Sequence, residues 1–129
     1  MRFLTWRNAG LAIVFTWFMF GGITHFTDPD FFVAIVPPYV PWPLAVVYVS
    51  GVFEIAGAIG ILIPRLRPVA GLGLFILTLC VTPANIHMWL NPELFPDVPE
   101  AFLSIRLVVQ VVLLAIIWFS TRTPKPHRA

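Results

Sequence analysis

Four long apolar runs, separated by short polar or proline-rich stretches, set the pattern of this chain. The runs cover about residues 8–26, 43–63, 68–90 and 101–120. At a rise of 1.5 Å per residue, about 20 helical residues cross the ~30 Å hydrocarbon core of a bilayer. The runs are continuously apolar and do not alternate with period 2, so they predict helices and not the strands of a barrel. We therefore expect an all-α fold, an integral membrane four-helix bundle.

The stretches that follow the first and third runs begin alike. Residues 28–32 (DPDFF) correspond to residues 91–95 (NPELF) at an offset of 63. In each, an N-cap residue precedes a proline at the first helical position. We expect a short interfacial or re-entrant helical segment in each of these outer loops, the first ended by Pro37, with Tyr39 and Trp42 at headgroup level. The likeness indicates either two hairpins of common ancestry or convergence on a good N-cap.

Composition and charge support a membrane protein of one domain, residues 1–129. Hydrophobic residues make up 59% of the chain, charged residues 11%, and the mean hydropathy is +0.90. Soluble domains carry about 25% charged residues, so the excess apolar surface requires lipid. No cleavage motif follows the first run, which we interpret as a retained helix and not a signal peptide.

The distribution of charge predicts the orientation. Every Lys and Arg except Arg106 lies before the first run, in the turn at 64–67 or in the tail at 121–129. The other two connections contain only acidic charges. The positive-inside rule then places both termini in the cytoplasm of a bacterial inner membrane, with 121–129 as a flexible tail. The basic residues form no stripe with interleaved aromatics, so nucleic acid is not an expected partner.

Glu54 is the one charge in its apolar run, near the middle of the span. A carboxylate at the bilayer centre costs roughly 2.5–3.5 kcal/mol on insertion scales. It must therefore be neutral, paired or in contact with water. Small residues surround it at helical spacing, including Gly51 and Gly57, and they allow a neighbouring helix to approach closely. We expect Glu54 to point into the bundle.

Four further polar residues share the outer part of the membrane with Glu54: His25, Asn85, Arg106 and Gln110. Together they predict an outward-facing polar vestibule, in which Glu54 pairs with Arg106 as the only other intramembrane charge. The pair either lines a ligand site or only fixes the helix register.

Each of the other residues in this set also has a purely structural interpretation, as an alternative to a role in a ligand site. His25 could cap its helix. Asn85 could satisfy backbone groups that Pro83 leaves free, and Thr78 and Thr82 share its face. Gln110 could make an interhelical hydrogen bond. His87 is interpreted as an interfacial residue.

The sequence lacks the residues that several kinds of functional site require. The single Cys80 provides no disulfide or thiol pair. No histidine–carboxylate pair has metal-ligand spacing, and a haem held by two histidines is disfavoured because nothing else supports it. No catalytic motif occurs, so whether the chain is an enzyme stays undecided, and a subunit of a membrane oxidoreductase is the most we expect.

The chain resembles the DoxX-like family of small four-helix bacterial membrane proteins over nearly its whole length. The resemblance rests on GITHF (22–26), VPP (36–38), SGVFE (50–54) with Gly57 and Gly60, PRLR (64–67), PANIHM (83–88) and RLVVQ (106–110). It implies a four-helix membrane fold and a site at His25, Glu54, Asn85, Arg106 and Gln110. It also implies association with membrane or periplasmic redox partners.

Three functions follow as hypotheses. The first is a redox-associated subunit that binds a quinone or another small lipophilic molecule in the polar vestibule. The second is a non-enzymatic partner or assembly protein, which docks another membrane protein or a second copy through small residues such as Ala56 and Gly60. The third, and least favoured, is a transporter for a small anion with Arg106 as its binding charge.

Overall fold

The computed structural model describes residues 5–96 and 98–122 and consists of helices and their connections. The helices are α1 (Trp6–Thr27), α2 (Pro29–Ile35), α3 (Pro43–Leu62), α4 (Arg67–Leu90) and α5 (Glu100–Thr121), with a 3₁₀ turn at Pro92–Leu94. The predicted all-α class is confirmed, and the four long helices differ from the expected bounds by at most two residues at either end. All four are long and apolar enough to cross a membrane, so the chain is a multi-pass membrane protein.

The four long helices form a ring. α1 packs against α3 and α5, and α4 packs against the same two helices. Short connections between consecutive spans favour antiparallel neighbours, which gives this order. Consequently α3 and α5 lie diagonally opposite each other, and so do α1 and α4.

The interior contains two apolar clusters, and we use inner and outer here and below as labels for the two ends of the bundle, after the predicted orientation. The inner cluster joins all four long helices. Its buried members are Leu11, Val14, Phe18, Ala58, Ile61, Leu74, Leu113 and Ile117. The outer cluster joins α2, the end of α4, the second outer connection and α5. Its buried members are Ile35, Met88, Phe95 and Leu103, with Phe31 and Phe32 packed against them. The short helix α2 thus covers the outer end of the bundle.

The two outer connections start from equivalent backbone elbows. Asp28 (φ −138°, ψ 61°) ends α1 and precedes α2, and Asn91 (φ −127°, ψ 58°) ends α4 and precedes the 3₁₀ turn. Each donates its backbone N–H to the carbonyl four residues earlier, Thr24 at 2.8 Å and His87 at 3.1 Å. The recurrence predicted at an offset of 63 therefore extends to backbone geometry. The expected side-chain cap is absent, because the side chains of Asp28 and Asn91 make no capping hydrogen bond to the segment that follows.

The predicted start of the tail is too early. Thr121 belongs to α5 and is fully buried, and Arg122 makes hydrogen bonds to the bundle. The remainder of the predicted flexible tail, 123–129, lies outside the described residues.

Candidate functional site

The predicted site residues follow the inward-facing stripes of their helices. Glu54 lies between Gly51 and Ala58, both buried, at helical spacings of three and four. Arg106 lies likewise between buried Leu103 and Gln110. By position along their helices, the five predicted site residues lie between the inner and outer apolar clusters: His25, Glu54, Asn85, Arg106 and Gln110. We call them, together with Thr82, the polar layer.

Within the polar layer, His25 and Glu54 meet across the α1–α3 contact. Nδ1 of His25 lies 3.1 Å from Oε2 of Glu54 and 2.6 Å from the carbonyl oxygen of Gly21. A carbonyl can only accept, so the Nδ1 hydrogen is donated to Gly21. Among the described residues, Glu54 Oε2 is therefore a buried acceptor that receives no hydrogen bond.

Phe32 of α2 lies against this pair. Its ring stacks on that of His25 with centroids 3.9 Å apart and planes 19° from parallel, and Phe31 packs edge-on against Phe32. The stack places α2 over His25. Sequence reasoning did not include Phe32 in the site, although the aromatic pair directly after the Asp28-Pro29 helix start was a signal for it.

On the other side of the ring, a directed chain of hydrogen bonds joins α5 to α4. Arg106 Nη2 donates to Asn85 Oδ1 (3.0 Å), and Asn85 Nδ2 donates to Gln110 Oε1. Gln110 Nε2 donates to Thr82 Oγ1 (2.6 Å), and the Thr82 hydroxyl donates to the Thr78 carbonyl (3.0 Å). Asn85 and Gln110 thus have interhelical partners, and Thr82 joins the site as well as bonding the backbone.

The predicted pairing of Glu54 with Arg106 is wrong. No ion pair joins them in the described structure; the one ion-pair contact of Glu54 is to His25. The reason is the helix order. Glu54 is on α3 and Arg106 on α5, which are diagonal, so each polar group contacts a neighbouring helix instead. The set predicted as one cluster is two groups, His25–Glu54 and Arg106–Asn85–Gln110–Thr82.

Grooves in the surface open beside the polar layer and are not lined by its residues. A groove of about 370 Å³ on the outer flank of α4 is lined by Tyr39, Pro83, Ile86, His87, Leu90 and Asn91. Asn91 Nδ2 donates to the His87 carbonyl at 2.8 Å and lies 3.3 Å from His87 Nδ1. His87 therefore has a local partner outside the layer. The outer cluster and α2 cover the layer where the sequence suggested an open vestibule.

Residues 13–121 match the model of a family described as a domain of unknown function, DUF8561. The chain belongs to the DUF8561 family. No curated protein and no solved structure gives a significant match. The family description names no activity, so the function of this DUF8561 protein has to be argued from the polar layer itself.

Proposed function

We propose that this DUF8561 protein binds a small lipophilic molecule with carbonyl or hydroxyl oxygens, foremost a quinone, in the polar layer, as a subunit associated with a membrane redox partner. The resemblance to DoxX-like proteins and a position in the bacterial plasma membrane with both termini cytoplasmic belong to the same proposal. It rests on the chemistry of the two polar groups, taken in turn.

The buried Oε2 of Glu54 is the observation that carries the proposal. A buried acceptor without a hydrogen-bond donor costs about 1–3 kcal/mol, and more when it is charged. A quinol that displaces α2 from its position over His25 would reach this oxygen, and its hydroxyl would supply that donor. The Glu54 carboxylate would accept the released proton, and the second ring nitrogen of His25, Nε2, provides a further acceptor beside it.

Arg106 offers the complementary chemistry. A guanidinium has five N–H donors and stays charged, and Arg106 uses one of them on Asn85 in the described structure. A quinone carbonyl accepts such a donor. Reduction of a quinone to a quinol takes two electrons and two protons. In quinol oxidation the electrons would go to the redox partner and the protons to Glu54 and His25, and in quinone reduction both would move in the opposite direction. The chain binds and relays in this scheme and is not itself the source of electrons.

The two alternatives receive less support. For docking of a partner or a second copy, Gly60 was one of two proposed small residues, but a Cβ on it would lie 2.7 Å from Ala70 Cβ, so it already serves the α3–α4 contact. For anion transport, the inner half of the described interior is filled by the apolar inner cluster, and its buried polar side chains donate to carbonyls of their own helices: Thr78, Ser120 and Thr121. They are therefore not available as a row of polar groups for an ion.

Glu54→Leu is expected to abolish quinone-induced stabilisation while leaving the fold intact. Loss of a hydrogen bond to a charged group, about 1.5–3 kcal/mol, corresponds to about 10- to 150-fold weaker binding. The unliganded variant is expected to be at least as stable as wild type, because a buried carboxyl oxygen that receives no hydrogen bond is replaced by an apolar side chain. Thermal shift with short-chain benzoquinone and naphthoquinone analogues, in detergent, measures both quantities.

Glu93→Gln, in the exposed 3₁₀ turn, is the matched control and should bind like wild type. Extraction of the purified protein with organic solvent adds an independent readout, namely co-purified quinone. The proposal fails if wild type shows neither a shift with the analogues nor bound quinone, or if Glu54→Leu binds as wild type does.

A further inference from the structure

Three arginine side chains from three helix ends converge at the inner end of the bundle: Arg7 of α1, Arg67 of α4, and Arg122 directly after α5. We propose that Arg7, Arg67 and Arg122 form a binding site for the phosphate of an anionic phospholipid in the inner leaflet. This inference rests on the proposed orientation with both termini in the cytoplasm, but not on quinone binding, which concerns the other half of the bundle.

The three guanidinium groups are held by backbone carbonyls. Arg7 Nε donates to the Ser120 carbonyl at 2.9 Å, and its Nη2 donates to the Arg122 carbonyl. Arg122 Nη2 donates to the Pro68 carbonyl at 2.6 Å, and Arg67 Nε donates to the Ile61 carbonyl at 2.7 Å. These bonds link α1, α4 and the end of α5 and fix the side chains in place. They leave the positive charges without a counter-charge.

No carboxylate faces this cluster from the part of the chain that the structure describes. Glu54 is the innermost acidic residue there, and the remaining ones belong to the two outer connections or the first turn of α5. Arg122 bonds the carbonyl of Pro68, the neighbour of Arg67, and Arg7 bonds the carbonyl of Arg122, so three like charges lie at the same end of the bundle and repel each other. The residues from 123 onward carry only basic and neutral side chains. A bound anion would offset this repulsion.

Donors remain on Arg122 for such an anion, because within the described residues its guanidinium bonds a carbonyl through Nη2 alone. Its Nη1 is therefore the nitrogen available to a phosphate, whereas its Nε is buried and has no partner among these residues. The guanidinium lies 4.9 Å from the ring centroid of Trp118, which restrains its orientation. Arginine forks match the geometry of phosphate oxygens, so spare donors on three fixed forks suit a phosphate better than a simple halide.

The position in the membrane selects a lipid as the source of that phosphate. The cluster lies where three apolar spans begin or end, which is the depth of the headgroups. Basic groups between helices at the cytoplasmic surface are the recognised setting for anionic lipid headgroups, at about 1 kcal/mol per basic residue. A soluble phosphate would lack the acyl chains that lie along the exposed apolar faces of the same helices.

The test compares Arg122→Gln with Arg65→Gln. Both remove one positive charge from the inner end, but Arg65 is exposed in the α3–α4 turn and, in the described structure, makes no hydrogen bond to the cluster's carbonyls. Thermal stability in neutral detergent is measured with added phosphatidylglycerol, with phosphatidylcholine, and with inorganic phosphate. Native mass spectrometry counts retained lipid. Arg122→Lys, which keeps the charge without the fork, provides a second variant if Arg122→Gln does not fold.

Phosphatidylglycerol is expected to stabilise wild type and Arg65→Gln alike, whereas Arg122→Gln should bind it about fivefold more weakly and retain less of it, with Arg122→Lys between them. Equal loss in Arg65→Gln and Arg122→Gln would show only a general basic surface and would overturn the site. Equal stabilisation by phosphatidylcholine, or by inorganic phosphate alone, would overturn its assignment to an anionic lipid.

Discussion

Gly22→Val should lower the free energy of unfolding by about 3 kcal/mol, at the upper end of the cost of overpacking a close contact. A Cβ at residue 22 would lie 2.6 Å from Cγ1 of Ile55 and 3.0 Å from the carbonyl oxygen of Gly51. Side chains can rotate away from such a contact, but a helix backbone cannot. The substitution therefore has to push α1 away from α3.

The same contact is seen from the opposite helix. A Cβ at Gly51 would lie 2.8 Å from Cβ of His25 and 3.2 Å from the Gly22 carbonyl oxygen. The two glycines thus bring the α1 and α3 backbones together one turn from His25 and Glu54. Separating the helices should also break the contact between these side chains, so Gly22→Val is expected to weaken quinone binding in addition to stability.

Gly73→Val is the control for this prediction. Gly73 lies on the exposed face of α4, and a Cβ there would meet nothing within 4 Å. Its substitution should change the stability by less than about 0.5 kcal/mol, the range usual for surface positions. Unfolding by SDS in mixed micelles, followed by tryptophan fluorescence, measures both variants. Similar losses at residues 22 and 73 would show that the close approach of α1 and α3 does not decide the outcome.

The helices could be predicted closely because their determinants are local. Each span is a continuous apolar run of the length that a bilayer requires, and prolines lie at its borders. Pro43 begins α3 and Pro29 begins α2 as expected from the preference of proline for the first helical turn. The close approach near Glu54 followed from small residues at helical spacing. None of these inferences needed the arrangement of the helices in space.

The partners within the site could not be predicted for the opposite reason. The sequence offers Arg106 as the only residue of opposite charge within the membrane for Glu54. It does not show which helices are neighbours in the bundle. The ring places α1 beside α3 and α4 beside α5, so His25 and Asn85 are the side chains within reach. His25 was treated separately because histidine is neutral in a formal charge count.

The basic residues near the inner end also show which features can be predicted from sequence and which cannot. They predicted topology through their distribution, which depends only on sequence. Their specific contacts depend on the tertiary fold, as for Arg7, which bonds the carbonyl of a residue 113 positions away. The C-terminus of a helix attracts positive charge, so a basic residue is expected at the inner end of α5. The sequence does not show which arginine contacts that helix end.

Asn85→Leu is expected to destabilise the protein by about 2–3 kcal/mol, because it leaves the Arg106 guanidinium without its acceptor and Gln110 Oε1 without its donor. Replacing Arg106 by leucine as well should recover part of that loss, since the stranded charge is then gone. We expect a coupling energy of about 1–2 kcal/mol for the pair, within the range for groups in one network. The SDS unfolding assay gives the four free energies of this double-mutant cycle.

A double-mutant cycle of Glu54→Leu with Arg106→Leu tests two alternatives. Glu54 either pairs with Arg106, as the count of charges predicts, or belongs to a separate group, as the helix order indicates. If the two residues belong to separate groups on diagonal helices, their effects should add to within about 0.5 kcal/mol, as they do for distant sites without shared partners. A direct ion pair predicts the reverse: each single change strands a buried charge at a cost of about 3–5 kcal/mol, and the double change restores much of it. Strong coupling of Glu54 with Arg106, together with additivity for Asn85 with Arg106, would contradict the division of the polar layer into two groups. It would then join His25 and Arg106 through one shared carboxylate, and the acceptor offered to a quinol would no longer be free.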